Sequence, residues 1–120
     1  QINMKRLFFL VALSITFLSF SSNENFLPTN LKITVLNDVG TLVEGAKVTL
    51  YNSDEDYRSE KNAVMETMTT NEKGQVTFKK LEAKIYFVLV KKGDLNNDGG
   101  AAQTNKLEEG KLNKVNIIIE

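Results

Sequence analysis

The stretch Gly93–Gly100, GDLNNDGG, has the residue types and spacing that come nearest to a binding site. Asp94, Asn96 and Asp98 occupy alternate positions ahead of a glycine pair, as the first oxygen ligands of a calcium loop do. Such a loop needs a bidentate acid at position twelve and a helix on each side, but position twelve is Asn105 and the flanks are typical of strands. Asn, Asp and Gly also favour turns for backbone reasons. We therefore interpret the stretch as a turn, with a weak calcium site as the alternative.

The composition removes most catalytic classes. The sequence has no His and no Cys, so it lacks the base of a His-assisted nucleophile and the imidazole or thiolate ligands of zinc and copper. The stretch Gly93–Gly100 also lacks the Lys and the following helix of a phosphate-binding loop. Its 15 acidic residues will bring some carboxylates together by chance, but a glycosidase needs a larger cleft than we expect here. We predict a protein that is not an enzyme and holds no cofactor.

The first 21 residues have the composition of a secretory signal peptide. Two basic residues follow Met4, the apolar run Leu7–Phe20 is interrupted only by small hydroxyl residues, and no acid is present. The run is shorter than the ~20 residues of a membrane-spanning helix. We predict cleavage near Ser21, with an uncleaved anchor as the alternative, and Gln1–Asn3 precede the expected start at Met4.

Charge and the missing cysteines narrow the destination and the partners. Lys5 and Arg6 leave with the predicted signal, so 13 of the 15 basic residues remain against 15 acidic residues, a net charge near −2. That balance gives no electrostatic argument for nucleic acid or for an anionic membrane surface. Without Cys there is no disulfide and no site for lipid attachment. We expect an exported protein, periplasmic or secreted, that is not a lipoprotein and has no stable membrane span after cleavage.

Alternating apolar residues dominate the chain after Asn30 and predict short strands. Segments typical of strands lie at 31–37, 46–52, 63–71, 75–81, 84–93 and 106–120, with glycine-containing turns between several of them. The acidic segment Asn52–Asn62 is interpreted as a solvated loop, with a turn of helix as the alternative. We predict a linker over residues 22–30 and one all-β domain over residues 31–120, an antiparallel β-sandwich of about seven strands with a Greek-key topology.

About half of the chain resembles a known family. ITVLNDVGTLVEGAKVTLYN and TTNEKGQVTFKKLEAKIYFVLVKKG resemble the carboxypeptidase regulatory-like and transthyretin (prealbumin)-like β-sandwich modules. Asn71 replaces the usual Asp of the family's hairpin turn and can bond the backbone two residues on in the same way. The resemblance implies a fold and little about function, because it rests on Asp38, Gly45, Ala46, Val48, Thr70, Gly74, Val76, Phe78, Leu81, Tyr86, Val88 and Val90.

Two distant relatives of that family carry chemistry that can be compared with this sequence. Collagen-adhesin B-type domains form a Lys–Asn isopeptide bond beside a buried acid, and the matching positions, Leu36 and Val90, are apolar here. We predict no isopeptide bond. The hydroxyisourate hydrolases of the transthyretin group use His residues and a Tyr-Arg-Gly-Ser ending, whereas this sequence has no His and ends in NIIIE. That activity is excluded.

One predicted strand is apolar on both faces. In KIYFVLVKK, alternate residues from Tyr86 to Val90 would fill the core, and Ile85, Phe87 and Leu89 would face outward. We favour a cover from within the chain, by the acidic loop or the N-terminal linker. A surface for a partner or for self-association is the alternative.

Together these patterns predict a non-catalytic, exported β-sandwich module with a binding, spacer or assembly role at the bacterial cell envelope. Its partner would be a protein or a glycan of unknown identity, contacted by loops at one end of the sandwich or by Ile85, Phe87 and Leu89. The alternative is a calcium- or carbohydrate-binding module that uses the Asp94–Gly100 loop. The absence of Trp argues against stacking on a sugar ring.

Overall fold

Two packed sheets form the protein. The computed structural model describes residues 27–120; the predicted signal peptide and most of the predicted linker lie outside these residues. One sheet has the strand order β4-β1-β7, and the other has the order β3-β2-β5-β6. The elements are β1 (Asn30–Asn37), β2 (Lys47–Tyr51), α1 (Asp54–Ser59), β3 (Met68–Thr69), β4 (Gln75–Phe78), β5 (Phe87–Lys92), β6 (Leu95–Asn96) and β7 (Leu112–Ile119).

The core lies between the sheets and confirms the predicted sandwich. Alternate residues of β1 and β2 point inward, so Ile33 and Val48, for example, are fully buried. Each aliphatic side chain buried in this way stabilises the fold by roughly 1.5–3 kcal/mol. The family-pattern residues that were expected to determine the fold are buried too: Ala46, Val48, Val76, Phe78, Leu81, Tyr86, Val88 and Val90.

The prediction that all strand pairs are antiparallel is wrong for one pair. Strands β1 and β7 run parallel from Asn30↔Leu112 to Asn37↔Ile119, and they form the longest ladder in the described part of the chain. A parallel pair needs a long connection between its strands. Here the whole of the rest of the domain supplies that connection, because β1 is the first of these strands and β7 is the last.

The favoured interpretation of Asn52–Asn62 as a solvated loop is also wrong, and the alternative, a turn of helix, is confirmed, because residues 54–59 form the helix α1. Ser53 caps its N-terminus, with the hydroxyl accepting a hydrogen bond from the Asp56 amide at 3.1 Å. Glu60 ends it in the left-handed conformation, with φ of 54°. The helix buries one side chain, Tyr57, so six residues were too few to give a helical apolar pattern.

The hairpin before β4 has the predicted turn chemistry. The side-chain oxygen of Asn71 accepts hydrogen bonds from the amides of Lys73 and Gln75, at 2.9 and 3.1 Å. Gly74 has φ of 71°, and a Cβ there would approach the Val35 carbonyl oxygen to 2.9 Å. Glycine is therefore required at this position both by conformation and by space. The predicted strand before this turn is short, since only Met68–Thr69 pair with β2.

Candidate functional site

The stretch that suggested a calcium loop begins as a tight hairpin. Gly93 and Asp94 connect β5 to β6, and Lys92 pairs with Leu95 across the turn. Of these two turn residues, only Gly93 has a positive φ, 58°, which is the pattern of a type II′ turn. Asp94 is exposed at its tip. This geometry agrees with the interpretation of the stretch as a turn.

Asn96 has its backbone groups and its side-chain oxygen engaged by the fold. Its side-chain oxygen accepts a hydrogen bond from the Asp98 amide at 2.9 Å, as in an Asx turn. Its backbone exchanges two hydrogen bonds with Glu120, of 3.3 and 3.0 Å. Since Glu120 directly follows β7, Asn96 ties the edge of one sheet to the end of the other. Asp98 is exposed.

Asn97 is the buried member of the stretch, with 2% of its surface exposed. Its side-chain amide donates to the Val88 carbonyl at 2.7 Å, and its side-chain oxygen accepts from the Val90 amide at 3.0 Å. The amide also reaches the Ala101 carbonyl at 3.3 Å. A side chain thus supplies the hydrogen bonds that a neighbouring strand would otherwise give to β5.

After residues 98–101, the main chain again forms hydrogen bonds along this side of β5 and of the residues just before it. The Val88 amide donates to the Ala102 carbonyl at 2.7 Å, and the Thr104 amide donates to the Tyr86 carbonyl at 2.9 Å. The buried Thr104 hydroxyl accepts from the Tyr86 amide at 3.0 Å. Residues 95–104, which we call the closing segment, therefore cover the outer edge of β5, and residues 98–101 bulge away from it. The opening stretch is part of a strand-like edge.

A polar groove lies between the closing segment and α1. Its volume is about 660 Å³, and its floor includes Leu89 and Ala102. Two ion pairs lie beside it, Arg58 with Asp54 and Lys91 with Glu60, each at 2.7 Å. All four side chains are about half exposed or more, so each pair contributes little stability, about 0–1 kcal/mol. The groove offers charged groups of both signs to a polar ligand.

Tyr57 forms one wall of the groove and covers the second face of β5. Its ring meets Tyr51 edge-on at 6.3 Å between centroids and lies 6.5 Å from the ring of Phe87. Burial raises the pKa of the Tyr57 hydroxyl above its usual range, and the nearby Asp98 carboxylate raises it further. The hydroxyl with this raised pKa therefore stays protonated to a higher pH than that of a free tyrosine.

The proposed partner surface on β5 needs correction, because α1 covers most of it. Leu89 is 8% exposed and packs with Tyr51 and Tyr57, and Phe87 is only partly exposed. Ile85 alone of the three has an exposed side chain, at 41%. The favoured sequence interpretation, a cover from within the chain by the acidic segment, is confirmed for Leu89. Sequence reasoning missed Tyr57 as the covering residue because one apolar position among acids gives no periodic signal.

The described residues do not bring together a set of metal ligands. Within residues 27–120, no three His, Cys, Asp or Glu side chains lie close enough to hold a metal ion. In the same range, every buried side-chain nitrogen and oxygen has a hydrogen-bond partner. No helix in that part of the chain is both long and apolar enough to cross a membrane. In the stretch Gly93–Gly100, Asn96 and Asn97 hold the fold together, and Asp94 and Asp98 are exposed.

The fold and this arrangement define the chain as an all-β sandwich module. No family model matches the sequence, and no curated protein matches it. Among solved structures, the chain is similar to the Bacillus anthracis TIE protein, with a TM-score of 0.55 and 20% sequence identity. The similarity covers 78% of this chain and 17% of that chain. It is a similarity of fold, in which this chain corresponds to a small part of a much longer protein.

Proposed function

We propose that the protein is an exported, non-catalytic β-sandwich module with a binding, spacer or assembly role at the bacterial cell envelope. The observation that carries the proposal is the set of hydrogen bonds that Asn96 and Asn97 make within the fold. Their polar groups bind the backbone of β5, the amide of Asp98 and the end of β7. The Asn97 side chain has both its oxygen and its amide engaged in this way, so it is not available to bind a metal ion or to perform a reaction.

Three further observations support the proposal. Residues 1–21 have the composition of a signal peptide. The fold is similar to a part of the TIE protein that makes up 17% of that chain. A match to one part of a longer protein favours a modular role. The residues of the strand ladders resemble those of carboxypeptidase regulatory-like and transthyretin-like modules. Fold alone does not define a ligand, so the ligand class has to be tested directly.

Export is tested by expressing the full chain in a bacterial host and measuring its location and its intact mass. The proposal expects the protein in the periplasm or the medium, shortened by cleavage near Ser21. A matched control replaces Leu10 and Leu13 with Arg, which interrupts the apolar run without touching the domain. The control should remain in the cytoplasm at full length. A wild-type chain that stays cytoplasmic with its N-terminus intact contradicts the proposal.

A further inference from the structure

Among residues 27–120, strand β7 has a partner strand on one side only. It has eight residues, Leu112–Ile119, and lies at the end of its sheet, with β1 as that partner. The other three edge strands are shorter, since β4 has four residues and β3 and β6 have two each. A long, straight edge is a template for pairing with another strand. We call the free side of β7 the open edge.

The register determines which residues present hydrogen-bonding groups to the open edge. Asn30 is aligned with Leu112, and its amide donates to the Lys111 carbonyl at 3.0 Å. In a parallel ladder a residue bonds to the two neighbours of its aligned partner, so odd-numbered residues of β7 face β1. Glu120, which is even-numbered, bonds to Asn96 on the other side. Four amides and four carbonyls therefore face the open edge, those of Leu112, Lys114, Asn116 and Ile118.

These same four residues are complementary to themselves when a second β7 runs antiparallel. With Val115 aligned to Val115 of the other copy, Leu112 lies opposite Ile118, and Lys114 lies opposite Asn116. Apolar side chains then meet apolar ones, and no like charges are opposed. A shift of one residue in each strand would oppose two Lys114 side chains, and the reverse shift would oppose Lys114 to Ile118. The sequence therefore favours one register.

The side chains that would meet in this pairing are accessible, since Leu112 and Ile118 are 46% and 56% exposed. A groove of about 390 Å³ lies beside the end of the strand, lined by Asn116, Ile118 and Glu120 on one side and by the glycine pair at 99–100 on the other. The place opposite Glu120 is taken by Asn96, so the pairing ends where Leu112 of one copy lies opposite Ile118 of the other. The incoming chain turns just before this pair, at Gly110, which has φ of 72°.

We propose that the protein self-associates through the open edge, with the β7 strands of two copies pairing antiparallel about a two-fold axis at Val115. Four aligned pairs of residues would form eight backbone hydrogen bonds and join two β4-β1-β7 sheets into one six-stranded sheet. A closed two-fold contact of this kind uses the same surface on both copies. The proposal rests on the assembly role proposed above and names the surface that performs it.

The oligomeric state of the purified full chain tests the pairing. Sedimentation velocity between about 10 µM and about 1 mM covers the range in which so small an interface would dissociate. We expect a reversible monomer–dimer equilibrium. Asn116→Pro should abolish it by removing an amide from the open edge, and Ile118→Lys should abolish it without changing the backbone. Ile85→Lys is the matched control on a different exposed apolar residue and should leave the dimer unchanged.

The register is tested by disulfide formation, since the chain has no Cys of its own. An equal mixture of Leu112→Cys and Ile118→Cys should cross-link under mild oxidation, because opposed residues are within disulfide reach. Leu112→Cys alone should not, because in the favoured register its copies lie six residues apart, about 20 Å. A wild-type monomer at every concentration, loss of the dimer on Ile85→Lys, or cross-linking of Leu112→Cys alone overturns the proposal. Export is measured in a separate experiment, so a failure of the proposed export can be distinguished from a failure of the proposed pairing.

Discussion

The outer edges of β5 and β7 are treated in opposite ways. The edge of β5 is closed by ten residues, in which β6 is followed by the Asn97 side chain and then by the main chain of residues 102–104. The edge of β7 is longer, and in the part of the chain that the structure describes it carries no partner strand. Of these two edges, the sandwich therefore protects one and exposes the other.

This difference teaches where a polar motif is needed for folding and where a surface is free for contact. Every second residue of an edge strand presents an amide and a carbonyl that need an acceptor and a donor. The Asn97 side chain supplies one acceptor, for the Val90 amide, and one donor, for the Val88 carbonyl. Natural sheets protect exposed edges by such devices. Among residues 27–120, no comparable segment runs along β7 beyond the contact of Asn96 with Glu120, so its outer edge is available for contact.

The largest expected effect comes from proline in β7. Ile117→Pro removes an amide that faces β1 and also a side chain that is buried in the core, so we expect a loss of about 4 kcal/mol or failure to fold. Asn116→Pro removes an amide that faces the open edge, so the monomer should lose less than about 1 kcal/mol. Urea unfolding of both variants measures the difference. Equal losses would show that the assigned direction of these amides is wrong.

The closed edge is tested by truncating Asn97. Asn97→Ala leaves the Val88 carbonyl and the Val90 amide without partners in a buried position, and we expect a loss of about 2–4 kcal/mol. Asn96→Ala, the neighbouring control, removes one Asx-turn hydrogen bond and should cost about 1 kcal/mol. Thermal unfolding gives both values. Asn97→Ala as stable as Asn96→Ala would contradict the role given to Asn97.

A smaller effect is expected from the tyrosine that covers β5. Burial and then Asp98 raise the pKa of Tyr57 above 10.0 in the folded protein. The unfolded chain therefore loses this proton first, and the contribution to stability is complete below pH 10 and is lost as the pH rises through the folded pKa. Tyr57→Phe should make the melting temperature fall less steeply between about pH 9 and about pH 11. Tyr86 also has a raised pKa, through burial, so part of the slope should persist.

The smallest expected effect is that of calcium on the stretch Gly93–Gly100. If Asp94, Asn96 and Asp98 do not form a site, melting temperatures in millimolar calcium and in chelator should agree. A ligand present at about 100 times its dissociation constant would stabilise the fold by about 2.7 kcal/mol. An increase in melting temperature with calcium that disappears in Asp98→Asn would establish the alternative. Asp38→Asn, on a different loop, is the control.

The strands and the core could be predicted from the sequence because alternation records which face of each strand is buried. Ala46, Val48 and Leu50 were expected inward and are fully buried. The parallel pairing of β1 and β7 could not be predicted, because alternation identifies a strand's faces and not its neighbour. The helix α1 could be expected only as the less favoured alternative to a loop, because its burial depends on Tyr57 alone.

The site was harder to predict than the fold. The residues with suggestive spacing, Asp94, Asn96 and Asp98, lie at a turn tip, in an Asx turn and on an exposed bulge. The buried residue of the stretch Gly93–Gly100 is Asn97. Nothing in its type or position distinguishes it from Asn96 in the sequence. Its importance depends on the two backbone groups of β5 that lie opposite it, which only the tertiary structure brings together.

Amide hydrogen exchange of the dilute monomer, followed residue by residue by NMR, tests the contrast between the two edges most directly. We expect protection at Val88 and Val90, which the closing segment covers, and a period-two pattern along β7. In that pattern the amides of Asn113, Val115 and Ile117 exchange slowly, and those of Leu112, Lys114, Asn116 and Ile118 exchange fast. Uniform protection along β7 in the monomer, or fast exchange at Val88 and Val90, would contradict the account.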